Sequence, residues 1–143
     1  MNTRFGLICA AVAVMFAGSL HAAAPDTEIK ITKTTYTAGS PSTANPEGTW
    51  KKPAGVAWKI IWDYGTLNGQ NMYTRDTSNG APLGGSKNLD DTTTSGTWGP
   101  LASAENLPST IPANYKVRVR LLKLVGNDYE TQLTDYAPLP PPK

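Results

Sequence analysis

The chain is 143 residues long, with 13 Lys and Arg against 11 Asp and Glu for a net charge of +2, and it holds one cysteine and one histidine. So even a charge balance supplies no strong field for nucleic acid or for an anionic membrane surface. Cys9 and His21 both fall within the first 24 residues, so a Ser-His-Asp triad, a Cys-His pair and the usual zinc ligand sets cannot be built from the rest of the chain.

The opening MNTRFGLICAAVAVMFAGSLHAAAP has one positive charge at Arg4, an apolar run over residues 5–17 and small residues up to Ala24. This is the pattern of a secretory signal peptide over residues 1–24, with cleavage expected near residues 22–24. The run is shorter than the roughly 20 apolar residues that span a bilayer, so no membrane span is expected in the mature protein. Acylation at Cys9 is disfavoured, because Ile8 stands where a small residue is needed and the apolar run continues past it. The expected destination is periplasmic or secreted. Residues 25–137 then suffice for a single domain, and residues 138–143, PLPPPK, read as an extended proline-rich tail. With no cysteine left, that domain is held by its apolar core alone.

After the leader, Thr, Gly, Pro, Ser and Asn abound and apolar residues recur at every second position, which predicts an all-β fold. TEIKITKTTYTAG, residues 27–39, is the first predicted strand, and SPSTANPEG, residues 40–48, reads as a loop. In VAWKIIWDY, residues 56–64, Val56, Trp58, Ile60, Trp62 and Tyr64 fall on one face and Ala57, Lys59, Ile61 and Asp63 on the other. That face assigns Trp58 and Trp62 to the core. Turn signals follow at Asn68-Gly69, Asn79-Gly80 and Gly84-Gly85, the two Asn-Gly pairs suiting type I′ hairpins. Short strands are predicted around residues 71–77 and 92–98.

NYKVRVRLLKLV, residues 114–125, carries the clearest alternation, with Tyr115, Val117, Val119 and Leu121 on one face and Lys116, Arg118 and Arg120 on the other. Continued past Leu121, the alternation buries Lys123, so a bulge near Leu121 and Leu122, or cover from another segment, is expected. Gly126-Asn127-Asp128 closes a hairpin to a returning strand over residues 129–139. Six or seven short strands without a persuasive helix predict a two-sheet antiparallel sandwich.

ENLPSTIPANYKVRVRL, with Leu107, Pro112, Tyr115, Val117 and Val119, resembles the penultimate-strand region of fibronectin type III and immunoglobulin-like domains. The resemblance implies that Tyr115 forms a corner, its hydroxyl bonding back to the loop backbone, and that a tryptophan of VAWKIIW packs beneath the opposite sheet. It leaves open whether residues 56–64 are the second or the third strand. The cysteine pair of antibody domains is absent.

Neither a GxSxG elbow, a phosphate-binding loop nor a dinucleotide fingerprint is present, and GAPLGG, residues 80–85, reads as a turn. No catalytic residue, cofactor or metal site is assigned. Asp90-Asp91 followed by TTTS lacks the spaced acids of an EF-hand loop. An acid-pair glycosidase remains an alternative, drawing on Asp63, Asp76, Asp90, Asp91, Glu105, Glu130 and Asp135. Another is a chagasin-like protease inhibitor, since Asn45-Pro46 and Gly84-Gly85 resemble two of that family's loops, although no Arg-Pro-Trp lies near Trp98.

The leading expectation is an exported, non-catalytic binding or adhesion module whose partner is a cell-wall polysaccharide or an envelope or host protein. Trp50 and Trp98, beside turn residues in EGTWKKP and SGTWGP, and Tyr73 are the candidate contacts. Lys59, Lys116, Arg118 and Arg120 form a candidate basic face for an acidic partner, with the plain solvent face of an antiparallel sheet as the competing reading. A structural or accessory envelope protein, or a secreted antigen without a small ligand, is the second class.

Overall fold

The computed structural model describes residues 26–77, 83–100 and 105–139. The expected signal peptide, the Asn79-Gly80 turn and residues 140–143 of the tail lie outside the described residues. Nine strands are found there and no helix: β1 (Glu28–Thr37), β2 (Ser42–Lys51), β3 (Trp58–Leu67), β4 (Tyr73–Arg75), β5 (Gly84–Leu89), β6 (Ser95–Trp98), β7 (Glu105–Leu107), β8 (Tyr115–Val125) and β9 (Asp128–Pro138). They form two antiparallel sheets. In the first, β2 lies between β1 and a broken edge made by β6 and β7; in the second the order is β4-β3-β8-β9, with β5 beside β4 on the same edge of β3. Residues 58–67 are therefore the third strand in chain order and lie inside the second sheet.

Alternation explains the core. Tyr115, Val117, Val119 and Leu121 of β8 are all buried, and on β3 Trp58, Ile60 and Tyr64 point the same way. Against them the first sheet contributes Ile29, Trp50 and Trp98 around Trp58 at one end, and Ala44 and Leu107 around Tyr64 at the other. Ile31 and Trp62, both partly buried, touch both clusters and join them into one layer. Buried tryptophans dominate it, each ring removing roughly 150–250 Å² from water.

Three expectations are corrected. STANPEGTWK, most of which read as a loop, is the central strand β2. Its loop-like proline is tolerated because β7 pairs residues 42–44 and β6 pairs residues 48–51, so Pro46 falls in the interval between them, its carbonyl beside Gly99. Gly84-Gly85 is not a turn but the start of β5, opposite Asp63 and Trp62. Gly84 has φ +118 and any Cβ there would run into the backbone of Trp62, so this strand hugs β3 where a side chain would hold it off. Asn68-Gly69 does not make a two-residue turn either: Leu67 pairs with Tyr73, and the intervening loop is closed by Asn68 Oδ1, which accepts from the Gln70 and Met72 N–H groups.

The β8–β9 hairpin closes where expected, but over two residues, Gly126 and Asn127, with Asp128 already in β9 and a positive φ at Gly126. The expected bulge is present between Leu121 and Leu122, but the extra residue, Gln132, belongs to β9, while the ladder to β3 runs on without a shift. A second irregularity lies in β1 between Ile31 and Lys33, and there the Ile31 N–H donates to Asp135 Oδ2 of β9 at 2.8 Å, tying the edges of the two sheets together. Tyr115 is buried at the start of β8 as the resemblance implies, yet its hydroxyl donates to Asp76 Oδ2 at 2.6 Å rather than to loop backbone. A charged acceptor makes the shorter and stronger bond.

Candidate functional site

The outer face of the second sheet is assembled by register. β3 places Lys59, Ile61 and Asp63 there, and β8 places Arg118 opposite Asp63 with Lys116 and Arg120 on either side. β4 adds Arg75 opposite Gly65 and Tyr73 opposite Leu67, and β9 brings Tyr136 opposite Arg118. Among the described residues of these strands, the outer positions set Asp63 as a single acid against Lys59, Arg75, Lys116, Arg118 and Arg120.

Asp63 is completely buried. Its Oδ1 accepts from Arg118 Nε at 2.9 Å and from the Tyr73 hydroxyl at 2.9 Å; its Oδ2 accepts from Arg118 Nη2 at 2.7 Å and Arg120 Nη2 at 3.3 Å. Those four bonds fill the lone-pair positions of a carboxylate, and Arg75 stands 3.8 Å from Oδ2 as a neighbouring charge. The bidentate grip fixes Arg118, whose guanidinium also lies 3.9 Å over the Tyr73 ring, itself 5.7 Å from the Tyr136 ring. Burial works against the Arg118 charge, but the hydrogen bonds and field of Asp63 outweigh it and hold its pKa above the ordinary guanidinium value. The Arg120 Nε is buried and finds no partner among the described residues. The cluster is thus a clamp saturated in acceptors, with guanidinium donors remaining.

Below this face, at the end of the sandwich, a cleft of about 470 Å³ opens among Thr66, Thr74, Arg75, Asp76, Thr110 and Tyr115. Arg75 borders both. Its side chain, 39% exposed, stands beside Asp63 on the outer face, while the cleft lies on the side of Thr66 and Thr74, which alternation turns the other way.

Of the residues singled out from sequence, Tyr73, Arg118 and Arg120 are brought together here, with Lys116 next along β8. Lys59 lies on the same face but pairs with another ring, its Nζ 3.8 Å from the centre of Tyr129. The tryptophans beside turns are corrected: Trp50 is 5% exposed and Trp98 fully buried, and their indole N–H groups donate to Thr97 O at 3.3 Å and Lys30 O at 3.2 Å. Both side chains point between the sheets, so neither presents a ring face to a partner. Sequence reasoning missed Arg75 and Tyr136, and it named Asp63 only among the acids open to a glycosidase, not as the partner of the basic row. The one signal for Asp63 was its place on the polar face of a core strand.

The other acids have local tasks. Asp90 Oδ1 accepts from the Thr92 N–H and hydroxyl and from the Thr93 N–H, which caps a turn, and these bonds hold its pKa below the ordinary carboxylate value. Glu105 accepts from the Trp62 indole at 3.4 Å. Among the described residues no group of three His, Cys, Asp or Glu side chains is placed to hold a metal ion, and no helix is long and apolar enough to cross a membrane.

Burial lifts the phenol pKa of Tyr64, Tyr73 and Tyr115 above the ordinary 10.0, with Asp63 adding to the rise at Tyr73 and Asp76 at Tyr115. The folded state therefore keeps three protons that the unfolded chain releases. This stabilisation is fully present below pH 10 and is lost as pH rises beyond it, at up to about 1.4 kcal/mol per pH unit for each phenol. Tyrosinate absorbance during alkaline titration is expected to appear in two stages, the later one coinciding with loss of the folded circular dichroism signal. A single smooth rise in a folded protein would contradict the burial.

No family model matches this chain, and no curated protein or solved structure matches it.

Proposed function

We propose that this chain is an exported, non-catalytic binding module of the immunoglobulin-like or fibronectin type III-like sandwich class, which engages an acidic polysaccharide through the outer face of its second sheet. Strand placement supports the class: β1, β2 and the broken β6/β7 edge take the positions of strands A, B and E, and β3, β8 and β9 those of C, F and G. The leader-like residues 1–24 support export.

The observation that carries the binding role is the Asp63 clamp. A solvent face needs no buried carboxylate; here one is spent on holding Arg118 and Arg120 rigid beside Arg75, in a field of five basic side chains. Rigid guanidiniums lose less entropy on meeting an anion than free ones. The face is an array of cations with tyrosine rings alongside, suited to a chain of acidic sugars.

Retention of the protein on immobilised polygalacturonate and dextran sulfate, against neutral dextran, tests the reading. Binding to both acidic polymers is expected, weakening steeply with salt and falling at least tenfold in Lys59→Glu/Lys116→Glu, two half-buried lysines of the outer face that take no part in the Asp63 clamp. Equal retention on neutral dextran, or none on either acidic polymer, would refute it, and the second result would favour a structural envelope role.

A further inference from the structure

We infer that Tyr136 is the sugar-stacking residue of this face: a pyranose of the uronic acid type lies with its C–H face on the Tyr136 ring and turns its carboxylate to the guanidinium of Arg118 beside it. This deepens the proposal that the face binds acidic polysaccharide and rests on it.

Tyr136 is an exposed ring beside a held cation. It lies on β9, the last strand of its sheet, and at 38% exposure it is the one aromatic among the exposed large apolar side chains of the described residues. Register sets it directly opposite Arg118, with Lys116 and Arg120 as its diagonal neighbours across the strand pair. Directly opposed side chains start about 4.5–5.5 Å apart and diagonal ones about 7–8 Å, so a sugar resting on Tyr136 meets Arg118 first and the other two cations beyond it. The ring is also braced. Tyr73 stands 5.7 Å from it, tilted by 48°, and Tyr73 is itself fixed by its bond to Asp63 and by the Arg118 guanidinium 3.9 Å over its ring. A ring already held in place loses little freedom when a ligand settles on it.

The cation beside it has donors to spare. Arg118 gives Nε and Nη2 to Asp63, which uses two of the five N–H groups of a guanidinium. None of its nitrogens is both buried and without a partner, so the donors left over open to solvent, where a carboxylate takes them without disturbing the Asp63 bonds. Thr134, exposed on the same face of β9 and opposite Arg120, adds a hydroxyl that both donates and accepts, as sugar hydroxyls do. Charge alone gives Tyr136 no part to play. Five basic side chains draw any polyanion, and an aromatic ring adds nothing to that field, whereas it offers a flat apolar surface to the C–H face of a pyranose. A polyanion without rings meets only the cations, and a sugar acid meets both.

Retention on polygalacturonate against poly-L-glutamate, which carries a carboxylate on every unit and no ring, separates stacking from attraction when ionic strength is held constant. The wild-type protein is expected to hold polygalacturonate about tenfold more tightly, and Tyr136→Ala to bring the two polymers level by weakening polygalacturonate alone. Tyr136→Phe is expected to keep the preference, because the ring and not the hydroxyl meets the sugar. A check that needs no variant is the shift of the Tyr136 ring protons in NMR spectra, expected with trigalacturonate and absent with triglutamate at equal concentration. Equal wild-type retention of the two polymers, a preference that survives Tyr136→Ala, or a Tyr136 ring that trigalacturonate does not shift would overturn the stacking role, while retention on polygalacturonate and dextran sulfate kept the face. Failure of both acidic polysaccharides to retain the protein would remove the face and the platform together.

Discussion

Asp63→Ala is expected to destabilise the protein by about 3–5 kcal/mol, the cost of removing one partner from a buried ion pair. The carboxylate is fully buried, and the side chains of Arg118 and Arg120 are only 18% and 25% exposed, so the charges left behind cannot turn into water without disturbing the sheet. The Tyr73 hydroxyl loses its acceptor in the same step. Asp63→Asn distinguishes charge from packing: it keeps the volume, and most of the loss is expected to persist. If the amide restores wild-type stability in urea, the clamp is a matter of shape. Removing the whole set is a different experiment, because replacing buried ions together by apolar groups of similar volume is often neutral. The combination Asp63→Leu/Arg118→Met is thus expected to be more stable than Asp63→Ala while abolishing retention on acidic polymers.

The second large effect lies between the sheets. Trp98→Ala is expected to cost about 3–5 kcal/mol, as large-to-small changes of buried aromatics do. Trp98 is fully buried, stacks on Trp62 with ring centres 6.1 Å apart, and donates its indole N–H to Lys30 O across the first sheet. Its loss empties the space between the clusters that Trp62 joins and leaves a strand carbonyl without its donor. Urea denaturation measures the change, and red-shifted emission from Trp62 in the folded variant would report water entering. A loss below about 1 kcal/mol would mean that the site collapses freely, contrary to its burial.

The contrast between these two sites explains what the sequence makes legible. The core faces of β3 and β8 are written in a period of two, and Tyr115, Val117, Val119 and Leu121 lie where the alternation puts them. β2 was illegible because its residues are poor strand formers one by one and are held by neighbours on both sides, with the proline at a gap only the tertiary pairing creates. Trp50 and Trp98 misled because adjacency to a turn says nothing about which side of the sheet a ring takes. Arg118 and Arg120 were visible as a basic row, but the acid that organises them is 55 residues from the first of them along the chain. Only the β3–β8 register, which places Asp63 opposite Arg118, turns a charged row into a clamp. Arg75 comes from the strand expected around residues 71–77, but at three residues it is too short for periodicity to say which face Arg75 takes.

The bond from Ile31 N–H to Asp135 has a consequence for the protein among other copies of itself. An outermost strand offers its N–H groups to any passing chain, and a sandwich without disulfides opens and recloses on its own resources. At the irregularity in β1, one of those donors is already held by a carboxylate from the opposite sheet, and the bulge breaks the straight line along which a foreign strand would align. A strand arriving at this edge would therefore meet, at its midpoint, a donor already taken by a charged side chain and a break in the ladder it would have to follow.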